Sequence, residues 1–490
     1  VGTSPFYCYN SSVEITEGLF SLNESSSGVL VGEAGCSGTV SGATFSDNSV
    51  STGAIYLYNG DEFLVADNTF EGNSSSSSGG AIRLYNTSGA ATIRGNDFVD
   101  NTALYNGGAI FLRHSGRVHI SDNQFRGNVA QSDGGAIALN EASRAAVLQN
   151  TLVDNEAFLE GGAVYLEDGA SVLLTGNIIT SNHGSSAVGA DDPESSRFRI
   201  SRNGHFDNEG GTWGMGWSPD PAEGNIFAPP QFVSFSDDGD SSNDDLSLTS
   251  SSAFAGAGPV GLSHPSGGAA DLGASGADMD VDLSFSADHV VGFQGPASYS
   301  DIQDALNVAS PGDTILVYPG TYPTNLNFGG LDVTLLSAFG SNTVALAGST
   351  GVTLNNGETT AAEISEVSFL SSSVALSLDS AGVTLSGVWA GHQGSRVASV
   401  TNNSSMVAAN LTLERFYGSY GIYVDYSTLE LTNSVGRSNV SSSSGSIVHG
   451  YQSEITISGG HFNDNLSNAS GGVIYLYGHA STATLSDNHF

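Results

Sequence analysis

The sequences NDFVDNTALYNGGAIFL at residues 96–112 and NQFRGNVAQSDGGAIAL at residues 123–139 are two copies of one motif. The motif reads N-x-Φ-x-x-N, where Φ is Phe, Leu or Ile, and a Gly-Gly pair begins six residues after the second Asn. That second Asn recurs at Asn73, Asn101, Asn128, Asn155 and Asn182, in steps of 28, 27, 27 and 27 residues. A fixed period of this length is typical of a solenoid in which each repeat forms one supersecondary unit.

Each repeat also contains three apolar columns separated by turn residues. Ile110 and Leu112 follow the glycine pair two residues apart, so they point to the same side of a strand. Val118 and Ile120 form a second pair of this kind, and Phe98 begins a column that continues at Phe125, Leu152 and Ile179. Turns rich in Gly, Asn and Asp separate the columns. The pattern predicts an all-β fold, a right-handed parallel β-helix with three short strands per coil of about 27 residues.

The Asn columns of the motif are predicted to be structural. Equivalent positions in successive coils lie about 4.8 Å apart, the spacing of neighbouring strands. Asn tolerates a left-handed backbone, and its amide can bond to the equivalent residue of the next coil. We therefore expect ladders of stacked asparagines at the turns rather than catalytic residues.

The composition excludes several partners. The chain has 490 residues, 50 acidic and 12 basic, and its net charge is −38. All the basic residues are Arg, and a charge of this sign argues against nucleic acid and anionic membrane surfaces. The sequence contains no run of 18 apolar residues, the length that would suggest a membrane span. The alternation of Arg197, Arg199 and Arg202 with Phe198 and Ile200 indicates a solvated strand face.

The Gly-Gly-Ala-Ile and Phe-x-x-Asn pattern resembles the repeats of the polymorphic outer-membrane proteins, a family of autotransported surface adhesins. The resemblance covers roughly residues 45–210 and 445–490. It implies a β-helix and an extracellular or cell-surface location, and adhesion as an associated function. The membrane barrel of that family has no counterpart in this sequence.

The repeat pattern breaks after residue 213 and begins again near residue 296. The segment after Leu246 resembles the closing sequence of many bacterial β-helix domains, and SDIQDALNVASPGDTILVYPGTY (300–322) resembles an opening sequence. Ile302, Ala305, Leu306 and Val308 have helical spacing, which predicts a short helix that covers the end of the coil stack. We expect a β-helix domain at 1–276, whose N-terminal part is missing, an acidic linker at 277–295, and a second domain at 296–490 with an N-terminal helical cap, truncated at its C-terminus.

The sequence also contains a second repeat that is much longer than one coil. Residues 1–70 and 421–490 are similar at an offset that drifts only from 416 to 420, as in TGAIYLYNG (52–60) and GGVIYLYGH (471–479). The register holds over seventy residues, which argues against chance similarity. The interpretation is a window of about one domain period, 417 residues, from a longer chain of tandem β-helix domains. The absence of an initiator Met agrees with a mature or excised segment.

The two cysteines, Cys8 and Cys36, are 28 residues apart, or about one coil. Stacked positions on adjacent coils can reach disulfide separation, so we predict a Cys8–Cys36 disulfide formed in an oxidising compartment. Two free buried thiols are the alternative.

Calcium is the one cofactor that the sequence suggests, because Ca²⁺ favours clustered oxygen donors. Two acidic segments offer them: Asp237, Asp238, Asp240 and Asp244 in the first, and Asp278, Asp280 and Asp282 in the second. The second segment lacks the glycine and distal Glu of a calcium loop. A solvated acidic linker is the alternative for both.

Several Asn-x-Ser/Thr sequences are candidate N-glycosylation sites if the source organism modifies them. In a chain this rich in Asn and Ser many such sequences arise by chance. The candidates are Asn23, Asn73, Asn86, Asn410, Asn439 and Asn465.

Catalysis is not predicted. The coil resembles the pectin-lyase-like β-helices, which include pectate lyases and polygalacturonases. That resemblance implies an Arg or Lys base in the lyases, and Asp-Asp, Gly-His-Gly and Arg-x-Lys motifs in the polygalacturonases. Asp191-Asp192 and His183-Gly184 occur in the reverse order, and the chain has no Lys. We therefore expect no catalytic residues and no enzyme, although paired carboxylates can serve glycoside hydrolysis.

Three functions fit these observations. The first is an extracellular structural stalk or filament of tandem β-helix domains, with neighbouring copies of the same domain or chain as partners. The second is an adhesin that binds glycans or cell surfaces through loops or exposed aromatic residues, such as Tyr56, Tyr58, Tyr85 and Tyr105. The third is a polysaccharide lyase or hydrolase.

Overall fold

The computed structural model describes residues 4–87, 89–191, 196–214, 224–236, 244–259, 270–274, 287–292, 297–323, 325–348, 351–371, 373–391 and 395–490. The chain divides into two compact units. The first comprises Val1–Ser196 and Ile200–Val281, and the second comprises Arg197–Arg199 and Asp282–Phe490. The division at 281/282 falls inside the stretch that the sequence assigns to the linker.

The first unit is a coil of parallel strands, β1 to β31, except that residues Arg197–Arg199 of β29 belong to the second unit, and one antiparallel pair, β32 and β33, follows. In chain order these strands are Phe6–Tyr9, Ser12–Thr16, Leu19–Ser21, Glu24–Ser25, Leu30–Glu33, Ser37–Ser41, Thr44–Ser46, Ser49–Val50, Ile55–Tyr58, Phe63–Ala66, Thr69–Glu71, Ser74–Ser75, Ile82–Tyr85, Ala91–Arg94, Asp97–Val99, Thr102–Ala103, Ile110–Arg113, Val118–Ser121, Gln124–Arg126, Val129–Ala130, Ile137–Asn140, Arg144–Leu148, Thr151–Val153, Glu156–Ala157, Val164–Leu166, Ser171–Thr175, Ile178–Thr180, Val188–Ala190, Arg197–Ser201, Gly204–Phe206, Ile226–Phe227, Phe232–Ser234 and Asp245–Leu248.

Up to β23 each strand pairs with the strand four further along the chain, its equivalent in the next coil, and this produces four parallel sheets; the fourth sheet ends at β24, and for β25 to β27 the step is three strands. We name them by their first strands: the first sheet starts with β1, the second with β2, the third with β3 and the fourth with β4. The predicted parallel β-helix is confirmed, but the prediction of three strands per coil was wrong for this unit. The fourth strand has only two residues, such as Thr102–Ala103, too few to show an apolar alternation.

The core of the first unit consists of stacked equivalents. Phe20, Phe45, Phe70, Phe98 and Phe125 occupy one column, with neighbouring ring centroids 4.7 to 5.0 Å apart and ring planes within 14° of parallel. From Phe45 onward these rings are fully buried. The Ile and Leu pairs of the first sheet are likewise buried along the coil. Because each coil repeats the same contacts 4.7 to 5.0 Å further on, the core is continuous.

Two asparagine ladders run along the turns on either side of this Phe column. In each ladder the backbone N–H and the Nδ2 of one Asn donate to the Oδ1 of the next, as from Asn101 to Asn128 at 3.1 and 3.0 Å. The first ladder contains Asn68, Asn96, Asn123, Asn150, Asn177, Asn203 and Asn225, and the second contains Asn23, Asn48, Asn73, Asn101, Asn128, Asn155, Asn182 and Asn208. The predicted ladders are confirmed. The left-handed backbone, however, belongs to the residue before the Asn, for example Asp100 with φ 52° and Asp154 with φ 57°.

The two glycines of the motif are required for different physical reasons. The first glycine is left-handed, with φ 70° at Gly107. The second lets adjacent coils approach, since a Cβ on Gly108 would lie 2.1 Å from the carbonyl oxygen of Gly135. The loop that contains the pair folds over the outer side of the first sheet, where it buries Phe111, Ala138 and Tyr165 to 7 % exposure or less.

The closing segment returns along the side of the coil. The Nε2 of Gln149 donates to the carbonyl oxygen of Asp271 at 2.7 Å, and the N–H of Gly273 donates to the carbonyl oxygen of Gly176 at 2.7 Å. The fully buried ring of Phe254 packs with Ile178 and Leu272. These contacts give the third sheet an apolar cover on its outer side.

The second unit is a coil of the same kind with one short helix. Its strands β34 to β59 are His289–Val291, Thr314–Val317, Gly320–Pro323, Leu326–Asn327, Thr334–Ser337, Val344–Gly348, Val352–Leu354, Glu363–Ser365, Ser368–Ser371, Val374–Asp379, Gly382–Ser386, Trp389–Gly391, Arg396–Thr401, Ser405–Ala409, Thr412–Glu414, Tyr417–Gly418, Tyr420–Asp425, Thr428–Thr432, Val435–Arg437, Val440–Ser441, Val448–Tyr451, Glu454–Ser458, His461–Asn463, Leu466–Ser467, Ile474–Tyr477 and Thr482–Ser486. All its described strand pairs are parallel, and a fourth sheet is present only for β49, β53 and β57.

The helix α1 spans Ile302–Leu306, and the side chain of Asp301 accepts a hydrogen bond from the N–H of Gln303 at its N-cap. Ile302, Ala305 and Leu306 are buried, as their spacing predicts. Val308 is 56 % exposed, so its inclusion in the apolar face was wrong. The helix ends before it, since Asn307 is the C-cap.

Strand bounds in the two units correspond. Strands β51 to β57 have the same lengths as β2 to β8 and follow them by 416 to 418 residues, for example Ser12–Thr16 and Thr428–Thr432. Ile55–Tyr58 and Ile474–Tyr477 have the same sequence, Ile-Tyr-Leu-Tyr, at an offset of 419. The long repeat therefore coincides with a repeat of strands, turns and pairing order.

Candidate functional site

A cleft on the first unit collects ionisable side chains at the turn between the third and fourth sheets. His183 directly follows the ladder residue Asn182, and stacking places it between residues of the coils on either side. Its Nε2 lies 2.9 Å from Oδ1 of Asp154, and its Nδ1 lies 3.3 Å from Oε2 of Glu209. Three successive turns thus bring a carboxylate, an imidazole and a carboxylate together.

The cleft has a volume of about 180 Å³ and is mainly acidic. Asp100, Glu156 and Asp244 line it, as does Arg126, which donates to Oδ2 of Asp97 at 2.8 Å. Burial raises the pKa of Asp97, and Arg126 opposes that rise. A second, shallower depression shares Glu156 and His183 with the cleft, and includes Phe158 and Leu159. Phe158 and Leu159 are more than half exposed.

The bonding of His183 limits its chemistry. An imidazole that donates from both nitrogens is protonated, and it then has no lone pair with which to accept a proton. Both ring nitrogens of His183 face carboxylate oxygens, those of Asp154 and Glu209, and which nitrogen donates depends on the tautomer. The pair His183-Gly184 was the residue match to a hydrolase motif, and the structure places its imidazole between the carboxylates of Asp154 and Glu209.

Of the predicted calcium ligands, only Asp244 belongs to the described part of the chain. Its Oδ1 accepts a hydrogen bond from the N–H of Ser236 at 2.9 Å, and the side chain lines the cleft. Within the described ranges no group of three or more His, Cys, Asp or Glu side chains could hold a metal ion. Asp237, Asp238, Asp240, Asp278, Asp280 and Asp282 lie outside the described residues, and calcium binding there stays a prediction.

Asp191 lies at the edge of the first sheet among other acids, while Asp192 lies outside the described residues. The Oδ2 of Asp191 accepts from the N–H of Asp168 at 3.2 Å. Burial and the nearby carboxylates, including Asp191, raise the pKa of Glu160 and of Glu167. The carboxylates of the cluster repel one another, Asp191 itself is exposed, and the contacts described for Asp191 include no histidine or arginine.

The glycosylation candidates fall into three classes. Asn73 and Asn439 are fully or almost fully buried, and the Nδ2 of each donates to a carbonyl oxygen and to the next ladder Asn. These two are therefore ladder residues, and a folded chain offers no access to their Nδ2. Asn23 and Asn465 are half-buried and also donate from Nδ2. Asn86 and Asn410 are exposed and stay predictions.

Cys8 and Cys36 form a disulfide with a Cα–Cα distance of 5.8 Å. The pairing agrees with the prediction, but the stacking argument behind it was wrong. The first coil has 24 residues on this side, so Cys8 stacks on Gly32, and Cys36 is the last residue of the turn between β5 and β6. Gly32 makes room for the bridge, because a Cβ there would lie 3.0 Å from Sγ of Cys36.

Three of the four tyrosines singled out in the sequence share one surface. Tyr56, Tyr58 and Tyr85 lie on the outer side of the first sheet, and the Tyr58 and Tyr85 rings stack at 5.2 Å. Tyr105 is more than half exposed but lies on the loop before the glycine pair. Arg113, whose Cζ is 5.2 Å from the Tyr85 ring centroid, completes the surface together with His114. Arg113 and His114 lie one coil after Tyr85, and this spacing could have predicted from the sequence that they belong to the same surface.

Two further features were missed. His205 takes the place of a Phe in the third-sheet column, where it stacks on Phe227 at 5.4 Å, and burial lowers its pKa to about 3. Arg197 and Arg199 are 6 % and 4 % exposed, so the prediction of a solvated strand face was wrong for them. Alternation shows which residues share a face, but it does not show whether other segments cover that face.

The fold that these coils define is the right-handed parallel β-helix. Residues 27–204 match the family model described as right handed beta helix region, which covers most of the regular coils of the first unit. No curated protein matches the chain. Across the described residues, no helix has the length and apolar character needed to cross a membrane.

Among solved structures, the chain is similar to the PL6 family alginate lyase AlyGC. Its arginine-to-alanine mutant is 10 % identical, with a TM-score of 0.23 and coverage of 99 % of this chain and 97 % of that one. The unmutated structure is also 10 % identical, with a TM-score of 0.19 and coverage of 99 % and 96 %. Because the TM-scores are this low, the likeness carries no inference about activity. The resemblance to the polymorphic outer-membrane adhesins receives no support from these comparisons.

Proposed function

We propose that the chain is a structural segment of an extracellular or cell-surface stalk or filament, built from tandem β-helix domains. The observation that carries the proposal is the second occurrence of β2 to β8 as β51 to β57, with equal strand lengths and the same pairing order. A scaffold needs repetition of backbone geometry and tolerates divergence on its surface. The two copies fit that requirement, since their bounds agree while most side chains differ.

The bonding inside the coil supports a mechanical role. Each buried ladder Asn joins three successive coils, because it accepts from one neighbour and donates to the other. The Cys8–Cys36 disulfide favours an oxidising environment, which agrees with an extracellular location. The net charge of −38 keeps such a surface soluble and repels lateral aggregation.

Two observations on the natural filament would test the scaffold. Negative-stain images of material from the cell surface should show fibres with an axial repeat of about 70 Å per domain, the length of about fifteen coils at strand spacing. An antibody against residues 96–139 should label intact cells, and external protease should remove the label. Compact particles without a repeat, or label only after lysis, would refute the proposal.

Adhesion is the second candidate, and the exposed tyrosines of the first sheet favour it. A polysaccharide lyase or hydrolase is the third, and its test is direct. Turnover of an acidic polysaccharide by the full chain, lost on Asp191→Asn or His183→Ala, would replace the structural proposal by an enzymatic one.

A further inference from the structure

Large apolar side chains are exposed on the loops that follow the fourth sheet. They are Leu104, Tyr105, Phe158 and Leu159, each 50 to 57 % exposed. The first two follow strand β16 and the last two follow β24, which lies two coils further on. Single exposed apolar residues are ordinary, whereas a cluster of them on a protein surface marks a contact site. We call these four residues the apolar ridge.

The spacing of the ridge suits a helix. Its two apolar pairs lie about 9.6 Å apart along the coil axis, which is two strand spacings, and Gln131 and Ser132 occupy the equivalent positions between them. Residues on one face of an α-helix recur after seven positions, or about 10.5 Å. Residues on one face of a strand recur after about 6.6 or 13 Å. A helix parallel to the axis therefore matches both pairs more closely than an extended strand does.

Carboxylates border the ridge at its second pair. A shallow depression of about 420 Å³ lies beside Phe158 and Leu159, and its described lining includes the carboxylates of Glu156 and Glu209 and the imidazole of His183. The imidazole already contacts Glu209, with Nδ1 3.3 Å from Oε2. Glu156 is exposed, and no ion pair with it occurs among the described residues. A cation from a partner can therefore reach Glu156 two residues before the apolar pair.

The opposite side of the ridge is acidic as well. Glu160 directly follows Leu159, and Asp133 occupies the equivalent position one coil earlier. Burial and the carboxylates of Asp133 and Asp191 raise the pKa of Glu160. These like charges repel one another, so a positive group placed beside them would gain electrostatic energy. The apolar pair thus has acidic neighbours on both sides.

We infer that the apolar ridge binds a basic amphipathic helix of another protein. The apolar stripe of that helix would lie on the two apolar pairs, and its Lys or Arg residues would lie beside Glu156 and Glu160. A second copy of this chain does not fit, because the helix among its described residues, α1, has five residues. With 50 acidic and 12 basic residues, the chain is also of the wrong charge. The inference goes beyond the scaffold proposal and is independent of it.

Fluorescence anisotropy with the full chain tests the inference. The probe is a labelled peptide of three heptads with Leu at a and d, Lys at e and g, and Ala elsewhere. Its comparators are a scrambled peptide of the same composition and a peptide with Glu in place of each Lys. The probe should bind at least about tenfold more tightly than either comparator.

Variants then locate the binding site. Phe158→Ser combined with Leu159→Ser should weaken binding of the probe by about tenfold or more, equivalent to about 1.4 kcal/mol. Glu156→Gln should weaken binding less and reduce its dependence on salt. Leu466→Ser is the matched control, since Leu466 is 56 % exposed on β57 of the second unit and its replacement should leave binding unchanged.

A second measurement uses the unmodified chain, so it does not depend on the folding of variants. Hydrogen exchange should slow in peptides spanning residues 102–108 and 156–162 when the probe is bound, with no change at residues 464–470. Absence of binding would overturn the inference, as would equal binding of the scrambled peptide, protection confined to other parts of the coil, or equal affinity of the Phe158/Leu159 variant. Fibres that do not bind the probe would leave the scaffold proposal standing.

Discussion

Substitution of one buried ladder residue, Asn128→Ala, tests the physical basis of the coil. The Asn128 side chain is fully buried and makes four hydrogen bonds. Its Nδ2 donates to the carbonyl oxygen of Phe98 and to Oδ1 of Asn155, both at 2.9 Å. Its Oδ1 accepts from the backbone N–H of Asn101 at 3.1 Å and from the Nδ2 of Asn101 at 3.0 Å.

The expected cost follows from these four bonds. Each contributes about 0.5 to 1.5 kcal/mol to stability, and a buried partner left unsatisfied costs at the upper end of that range or beyond. The backbone N–H of Asn101 loses this side-chain acceptor, whereas its Nδ2 keeps the carbonyl oxygen of Phe70. We expect Asn128→Ala to lower the free energy of unfolding by about 4 kcal/mol, within a range of about 2 to 6 kcal/mol.

The assay must resolve local stability, because each coil contacts only its neighbours and the loss concentrates near the substitution. Hydrogen exchange with mass spectrometry should show faster exchange in peptides spanning β15 to β23, with little change at β1 to β6. Asn463→Ala is the matched control, since Asn463 is exposed on strand β56 and its loss should cost well under about 1 kcal/mol. Equal effects of the two substitutions would refute the ladder as a source of stability.

Three further predictions follow from single contacts. Replacing both Cys8 and Cys36 by Ser should destabilise the first two coils by about 3 to 4 kcal/mol, the value expected from loop-closure entropy. Proteolysis of residues 4–46 should then be faster, with no change beyond residue 90, and an unaltered cleavage rate would contradict the prediction. His205 has its pKa lowered to about 3 by burial, below the unfolded value of about 6.5, so the stability linked to it is present above about pH 6.5 and is lost as pH falls towards 3. Between pH 7 and about pH 4.5, the His205→Phe variant should therefore lose about 2 to 3 kcal/mol less stability than the unmodified chain, as read from denaturant midpoints. An unchanged pH profile would show that His205 is not the group responsible. Gly135→Ala should prevent regular stacking because its Cβ would lie 2.1 Å from the carbonyl oxygen of Gly162, whereas Gly116→Ala, with a nearest neighbour at 3.6 Å, should be tolerated; similar melting temperatures for the two would refute this account.

The fold could be predicted because its determinants are local and repeated. The Asn ladder, the Phe column and the Ile-Leu pairs each recur at one period, so sequence alone placed them in register. The fourth strand was missed because two residues carry no alternation. Cys8 was given the wrong stacked partner, since the coil there is shorter than the average period.

The candidate sites were less predictable for the same reason. Asp154, His183 and Glu209 meet because they flank stacked ladder asparagines, Asp154 before Asn155 and the other two directly after Asn182 and Asn208, and this requires the register to be known to the residue. The amide environment of Tyr58 and Tyr85 likewise needs the pairing of β9 with β13. A run of aspartates in the sequence shows which side chains are present, but it does not show whether they meet in space.

Coil length itself connects the fold with its accessible surface. Between the fourth and first sheets, the connecting loop has four residues from Ser51 to Ala54 and six residues from Leu104 to Ala109. The longer loop folds over the outer side of the first sheet and buries the first outward row, where Phe111 is 4 % exposed. The second outward row, which contains Tyr58 and Tyr85, lies at the other end of the same strands, beyond the reach of that loop. A change of two residues in loop length therefore alters whether the first outward row is covered, as Phe111 is and Tyr56 is only in part, while the ladder and the core continue through both coils.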